Sequence, residues 1–119
     1  MTDNEPINWE QTLFTIILHA GNARSKALEA AELGQDGAFD AAEEALVEAE
    51  TEQTEAHKVH AKVIQMEASG EQVPFSVLMV HSMDLLLLSW AEIDHTRQML
   101  SLFKRLTALE EAAKQWQKS

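Results

Sequence analysis

The chain has no cysteine and no tyrosine, and only two prolines and four glycines in 119 residues. Without cysteine there is no disulfide framework, no thiolate zinc site and no cysteine nucleophile, which agrees with a reducing compartment. With so few helix breakers, and with Ala, Leu, Glu and Gln abundant, intrinsic preference predicts an all-α fold. Cationic residues are scarce as well: nine Lys and Arg stand against 20 Asp and Glu, a net charge of −11. A field of that sign argues against nucleic acid or an anionic membrane surface as the main partner. The acid is unevenly placed, because residues 1–72 carry 15 acidic and 4 basic side chains whereas residues 73–119 carry 5 of each. It suits a solvated face, or a basic protein partner. No apolar run approaches the roughly 20 residues needed to span a bilayer, and the opening MTDNEPINWEQ lacks the cationic start of a secretory signal. A cytoplasmic protein without membrane insertion is the expectation, and the length suits one domain over residues 1–119.

What is present is helical periodicity in three stretches. The first runs from about Trp9 to Leu33, with Leu13, Ile16, Ile17, Ala20, Arg24, Ala27, Leu28 and Ala31 spaced by threes and fours; Gly34 and Asp36-Gly37 end it. The second runs from about Ala38 to Ala68 on a stripe of Phe39, Ala42, Leu46, Ala49, Gln53, Ala56, His60 and Val63, closed by Ser69-Gly70. Pro74 suits the first turn of a third helix reaching to about Lys114, some 40 residues and about 60 Å at 1.5 Å per residue. Short connections predict an antiparallel up-down bundle. The third helix is apolar on every side between Val77 and Ile93, more than two neighbours can cover, so a symmetric oligomer built around it is expected.

In the middle of that stretch, VLMVHSMDLLLLSW places His81 and Asp84 three positions apart, on one helical face. They also fall on a four-three walk through Val77, His81, Asp84, Leu88, Ala91, His95, Gln98, Leu102, Arg105 and Leu109. Two accounts fit this spacing. The pair satisfies itself in a core, or His81 is a neutral imidazole nucleophile with Asp84 clustering across a symmetric assembly, where repelling carboxylates would take a divalent cation. Other histidines carry less: His57 and His60 suit surface or helix-contact roles, and His19 a satisfied helix-face role. Glu92 and His95 form a single Glu-x-x-His, half of what a di-iron bundle needs.

Three motifs, in order, resemble one family. They are Ile16-Ile17-Leu18-His19-Ala20-Gly21-Asn22-Ala23-Arg24-Ser25, then Glu55-Ala56-His57 followed by Lys62-Val63-Ile64, then Val77-Leu78-Met79-Val80-His81-Ser82-Met83-Asp84. The chain is similar over about residues 13–113 to the enzyme IIA component of the lactose/cellobiose class of the bacterial sugar phosphotransferase system. The resemblance implies a three-helix protomer assembling as a trimer, a nine-helix bundle. It implies a phosphotransferase in which His81 accepts a phosphoryl group from the histidine phosphocarrier protein and passes it to a IIB component during uptake of a lactose/cellobiose-type sugar. Asp84 matches the aspartate whose three copies bind a divalent metal ion, Mg2+ being the expected one, at the trimer axis. The chain departs from the pattern at Met83, where the family has Gln, at Leu85, where a second His is usual, and at His60-Ala61 in place of Gln-Thr. The alternative is a non-catalytic or regulatory helical oligomer of the same fold.

Overall fold

A computed structural model describes residues 7–118, so Met1 to Pro6, within the opening stretch discussed above, and Ser119 lie outside it. Three helices account for nearly all of those residues: α1 (Trp9–Gln35), α2 (Phe39–Ala68) and α3 (Val77–Lys118). The boundaries follow local chemistry. Asn8 caps α1 by accepting the Gln11 amide on its side-chain oxygen at 3.0 Å, satisfying one of the donors that a helix start leaves over. Both interhelix turns need a backbone that L side chains rarely adopt, and glycines supply it, Gly37 at φ 79° and Gly70 at φ 97°.

The start of α3 differs from the sequence expectation. It begins at Val77, three residues after Pro74, because Ser76 captures the Met79 amide with its hydroxyl at 3.1 Å and so acts as the cap. Pro74 instead lies within the α2–α3 connection, where its ring disfavours a helical Val73. At the other end α3 runs on to Lys118 rather than stopping near Lys114.

Contacts between helices fix direction and register. His19 meets Glu52 and Lys26 meets Glu48, so α1 and α2 are antiparallel; Arg24 meets Glu92 and Thr96 donates to the Ala27 carbonyl, so α1 and α3 are parallel. Arg97–Glu50 and Lys104–Glu43 close α3 against α2. These ion pairs are solvated and contribute little each; they set register more than stability.

The stabilising mass lies between the helices. The line α1 buries is Leu13, Ile16, Ala20, Ala23, Ala27, Ala30 and Gly34, and α2 presents Ala42, Ala45, Leu46, Ala49, Gln53, Ala56 and Val63. The α1 stripe therefore differs from the one expected: Arg24 and Leu28 face solvent, and Ala23, Ala30 and Gly34 face inward. Small side chains on α1 let it approach both neighbours closely, and the large ones (Ile16, Leu46, Leu86, Leu100) fill the layers between, each worth about 1.5–3 kcal/mol when fully buried.

On α3 the buried line is Ser82, Leu86, Ser89, Ile93, Thr96 and Leu100. Its hydroxyls are satisfied: Ser82 donates to the Met79 carbonyl at 2.8 Å, Ser89 to that of Leu86 at 2.7 Å and Thr96 to that of Ala27 at 3.2 Å. A polar atom bonded this way costs a core little.

Candidate functional site

Because α3 buries the Ser82–Leu86–Ser89 line, the His81–Asp84 walk falls on the opposite side, away from α1 and α2. Both side chains are exposed, and among the described residues neither takes a hydrogen bond or an ion pair. The core-pair account of this spacing is thus set aside: the two share an outward face and do not satisfy one another. Around them the surface is apolar. Val77, Val80, Leu87 and Leu88 are exposed on the same helix, Val77 at 83% and Leu87 at 62%. The α1–α3 register brings Leu13 and Phe14 to the level of His81, with Phe14 and Leu18 exposed on α1. These two escape the sequence reading because the i, i+4 pair they form lies off the buried stripe; that off-stripe pairing is the signal that could have found them. An imidazole and a carboxylate thus stand in an apolar surface that a second molecule would desolvate.

Behind this face, a partly open cavity of about 90 Å³ lies where α1, α2, the α2–α3 connection and α3 converge. His60, Glu67, Met79 and Met83 line it with Ile16 and Val63; His81 does not. Burial, reinforced by the charge of His57, pushes the His60 imidazole below its ordinary value of 6.5. His57 itself lies on the surface with its ring against Trp90, centroids 5.1 Å apart. These are the helix-contact roles expected of that pair.

Met83 turns toward the cavity rather than toward His81, as residues two apart on a helix must. Leu85, one turn beyond His81, packs against the cluster of Leu13, Ile16, Ala20, Ala56 and Leu86. His19 is held by Glu52 at 2.6 Å, and Glu92 faces Arg24 at 3.8 Å. Glu92 of the half-motif Glu92/His95 is thereby engaged by Arg24, and among the described residues no three His, Asp or Glu gather around one point of the chain. A second depression, of about 410 Å³, lies between α1 and α2 and is lined by no residue of α3. No helix among the described residues is long and apolar enough to cross a membrane.

Known proteins share this arrangement. A family model described as the lactose/cellobiose-specific IIA subunit of the phosphotransferase system matches residues 11–104. The lactose-specific EIIA component of Lactococcus lactis subsp. lactis is 40% identical over 98 residues, 81% of this chain and 93% of that protein. The lichenan-specific phosphotransferase enzyme IIA component of Bacillus subtilis is 37% identical over 98 residues, 82% of this chain and 89% of that protein. The crystal structure of the cellobiose-specific enzyme IIA from Bacillus anthracis superposes with a TM-score of 0.84 at 36% identity, covering 90% of this chain and 98% of that one.

Proposed function

Since the chain belongs to the lactose/cellobiose-specific IIA family of the sugar phosphotransferase system, we propose that His81 is its phosphoryl-accepting residue. The observation that carries this reading is a solvent-facing imidazole, without a partner among the described residues, set in an exposed apolar surface on a rigid helix. The donor is the phosphorylated histidine phosphocarrier protein and the acceptor a IIB component. The sugar is of the lactose/cellobiose type, and transfer takes place in the cytoplasm.

The chemistry asks little of the protein beyond placement. The unprotonated ring nitrogen of His81 attacks phosphorus in line, a new N–P bond forms, and the donor's N–P bond breaks with its electron pair returning to the donor imidazole. Each ring keeps the proton on its other nitrogen, so no general base is required. The apolar surround of Val77, Val80, Leu87 and Leu88 excludes water once a partner covers it, which protects a hydrolysable phosphoramidate.

In this proposal the trimer seam runs along the same helix through Asp84 and Leu88, with His81 in a cleft between protomers that stays open to the transfer partners. An exposed apolar strip on a helix already covered on its other flanks calls for symmetric copies, and α3 placed about a threefold axis would bring three Asp84 carboxylates together. Among the described residues of one chain no cluster of donors could hold a cation, whereas three carboxylates supply the oxygen set that a hard divalent ion such as Mg2+ prefers. When bound, that ion would offset the mutual repulsion of the carboxylates. Asp84 here is an assembly residue and abstracts no proton.

Incubating the protein with phosphoenolpyruvate, enzyme I and the histidine phosphocarrier protein should yield an acid-labile phosphate on the peptide containing His81. His81→Gln should stay folded and take none; a phosphorylated His81→Gln protein would falsify the assignment. A regulatory, non-transferring oligomer is favoured by one observation, the apolar Leu85 one turn from His81. It predicts no phosphate on the wild-type chain from an active carrier. Met83, turned away from His81 in its own protomer, gives that second reading no support.

A further inference from the structure

The cavity behind the His81 face carries donors that phosphoryl transfer does not use. On one side α2 supplies His60, a turn before the buried Val63. On the other, α3 supplies Met79 and Met83, four residues apart and so on one face of that helix. One imidazole and two thioethers therefore border the same partly open space of about 90 Å³. His60 is half-buried, yet among the described residues neither of its ring nitrogens has a hydrogen-bond partner. Ser82, on the same wall, donates its hydroxyl proton to the Met79 carbonyl at 2.8 Å and leaves the imidazole untouched.

Packing does not account for this set. A core methionine commonly closes an irregular gap, because its unbranched chain adapts to the space. Here two methionines border a gap that stays open. His60 and Met83 are moreover positions at which the chain departs from the family pattern, which has Gln at both. They belong to different helices, and the fold brings them to one cavity. The paired change exchanges two amides for an imidazole and a thioether, so that soft donors stand where the pattern has hard oxygens.

Such donors select their ion. Thioether sulfur favours Cu(I) and imidazole also suits copper, whereas Mg2+ and Ca2+ require oxygen ligands. Glu67 is the one carboxylate among the residues that line the cavity, and among the described residues no three His, Asp or Glu meet at one point. A hard ion thus finds no ligand set here, while the single negative charge still favours a cation. Burial keeps the His60 imidazole in its neutral, ligating form at neutral pH. We propose that His60, Met79 and Met83 form a binding site for one soft monovalent metal ion, Cu(I), held between α2 and α3. The site uses neither His81 nor Asp84, so it stands independently of the phosphoryl-accepting and trimer readings.

The absence of cysteine makes the test direct, since no thiolate competes for the ion. The full chain is titrated with silver(I) nitrate in chloride-free buffer, silver(I) sharing the charge and ligand preference of Cu(I), and then anaerobically with Cu(I) in competition with bicinchoninate. One ion should bind per chain, and in NMR spectra the ε-methyl signals of Met79 and Met83 should shift together with the His60 ring signals. His60→Gln and Met83→Leu should each weaken binding of both ions at least ten-fold, with circular dichroism showing an unaltered helical fold. Absence of binding, shifts confined to Met66, Met99 or the other histidines, or undiminished affinity in both variants overturns the site. Displacement of silver(I) by an equal concentration of Zn2+ overturns its assignment to a soft ion.

Discussion

Gly34 offers a direct test of how closely α1 and α3 approach. It is buried in the last turn of α1, and a Cβ built there would fall well inside contact distance of Leu100 Cδ2 and 3.1 Å from Phe103 Cδ2. Two effects of Gly34→Ala oppose one another. The helical preference of alanine over glycine favours the variant by about 1 kcal/mol. Overpacking costs about 1–3 kcal/mol, and Leu100, only 2% exposed, has little room to swing aside. The crowding term should win, leaving a net destabilisation of about 1 kcal/mol. With an unfolding entropy of about 2.1 cal/mol/K per residue, that lowers Tm by about 4 °C. Calorimetry at one fixed protein concentration is the assay, because association would make Tm concentration-dependent. The control is Leu100→Ala, which should cost about 2–5 kcal/mol alone but remove the clash. In that background Gly34→Ala should become stabilising, a reversal of sign that a double-mutant cycle detects. If Gly34→Ala stabilises the otherwise wild-type chain as much as it does the Leu100→Ala chain, the close approach is not a constraint and the argument from small residues on α1 fails.

Other substitutions probe separate parts of the molecule. Gln53 is 8% exposed and its side-chain amide nitrogen has no hydrogen-bond partner among the described residues, so Gln53→Met should hold or raise stability, by up to about 1–3 kcal/mol in urea unfolding. A clear loss would mean that this amide is bonded after all. His60 titrates below 6.5 because of burial first and His57 second, so the unfolded chain binds its proton more tightly. Stability from this site is complete above about pH 6.5 and falls as the pH drops toward the lower folded value. Glu67 lines the same cavity and His57 lies a turn away, so the wild-type slope must be compared with that of His60→Gln. Equal slopes would exonerate His60. For Asp84→Asn, elemental analysis after dialysis against Mg2+ should find the ion lost relative to wild type, and chelation should no longer shift Tm. Equal metal content in the two proteins would remove Asp84 from that role.

The composition was enough to specify helices, and glycines at the two turns with positive φ were legible as punctuation. Which side of each helix faces inward was only partly so. On α2 the apolar stripe and the buried line nearly coincide, since few large apolar residues lie off it. On α1 the pattern pointed to Ile17 and Leu28, yet Ala23, Ala30 and Gly34 face the core. Hydropathy weights a side chain by its size, whereas helices in close approach select for small ones.

The same cause, acting on α3, explains why His81 and Asp84 were so conspicuous in the sequence and so differently placed in the fold. The heptad that α3 buries alternates Ser82, Ser89 and Thr96 with Leu86, Ile93 and Leu100, and its hydroxyls hide their polarity by bonding backbone carbonyls. The other line, Val77, Leu88, Leu102 and Leu109 with the ionisable pair among them, is more apolar to a hydropathy count and reads as the core. It is exposed because α1 and α2 pack on the opposite side of α3. A histidine buried in its own core would be satisfied and inaccessible, whereas one on a face awaiting another molecule stays reachable until that molecule arrives. The phosphoryl-accepting role proposed for His81 requires such a placement, and the conflict between hydropathy and burial along α3 points to the proposed site more sharply than the His81–Asp84 spacing does.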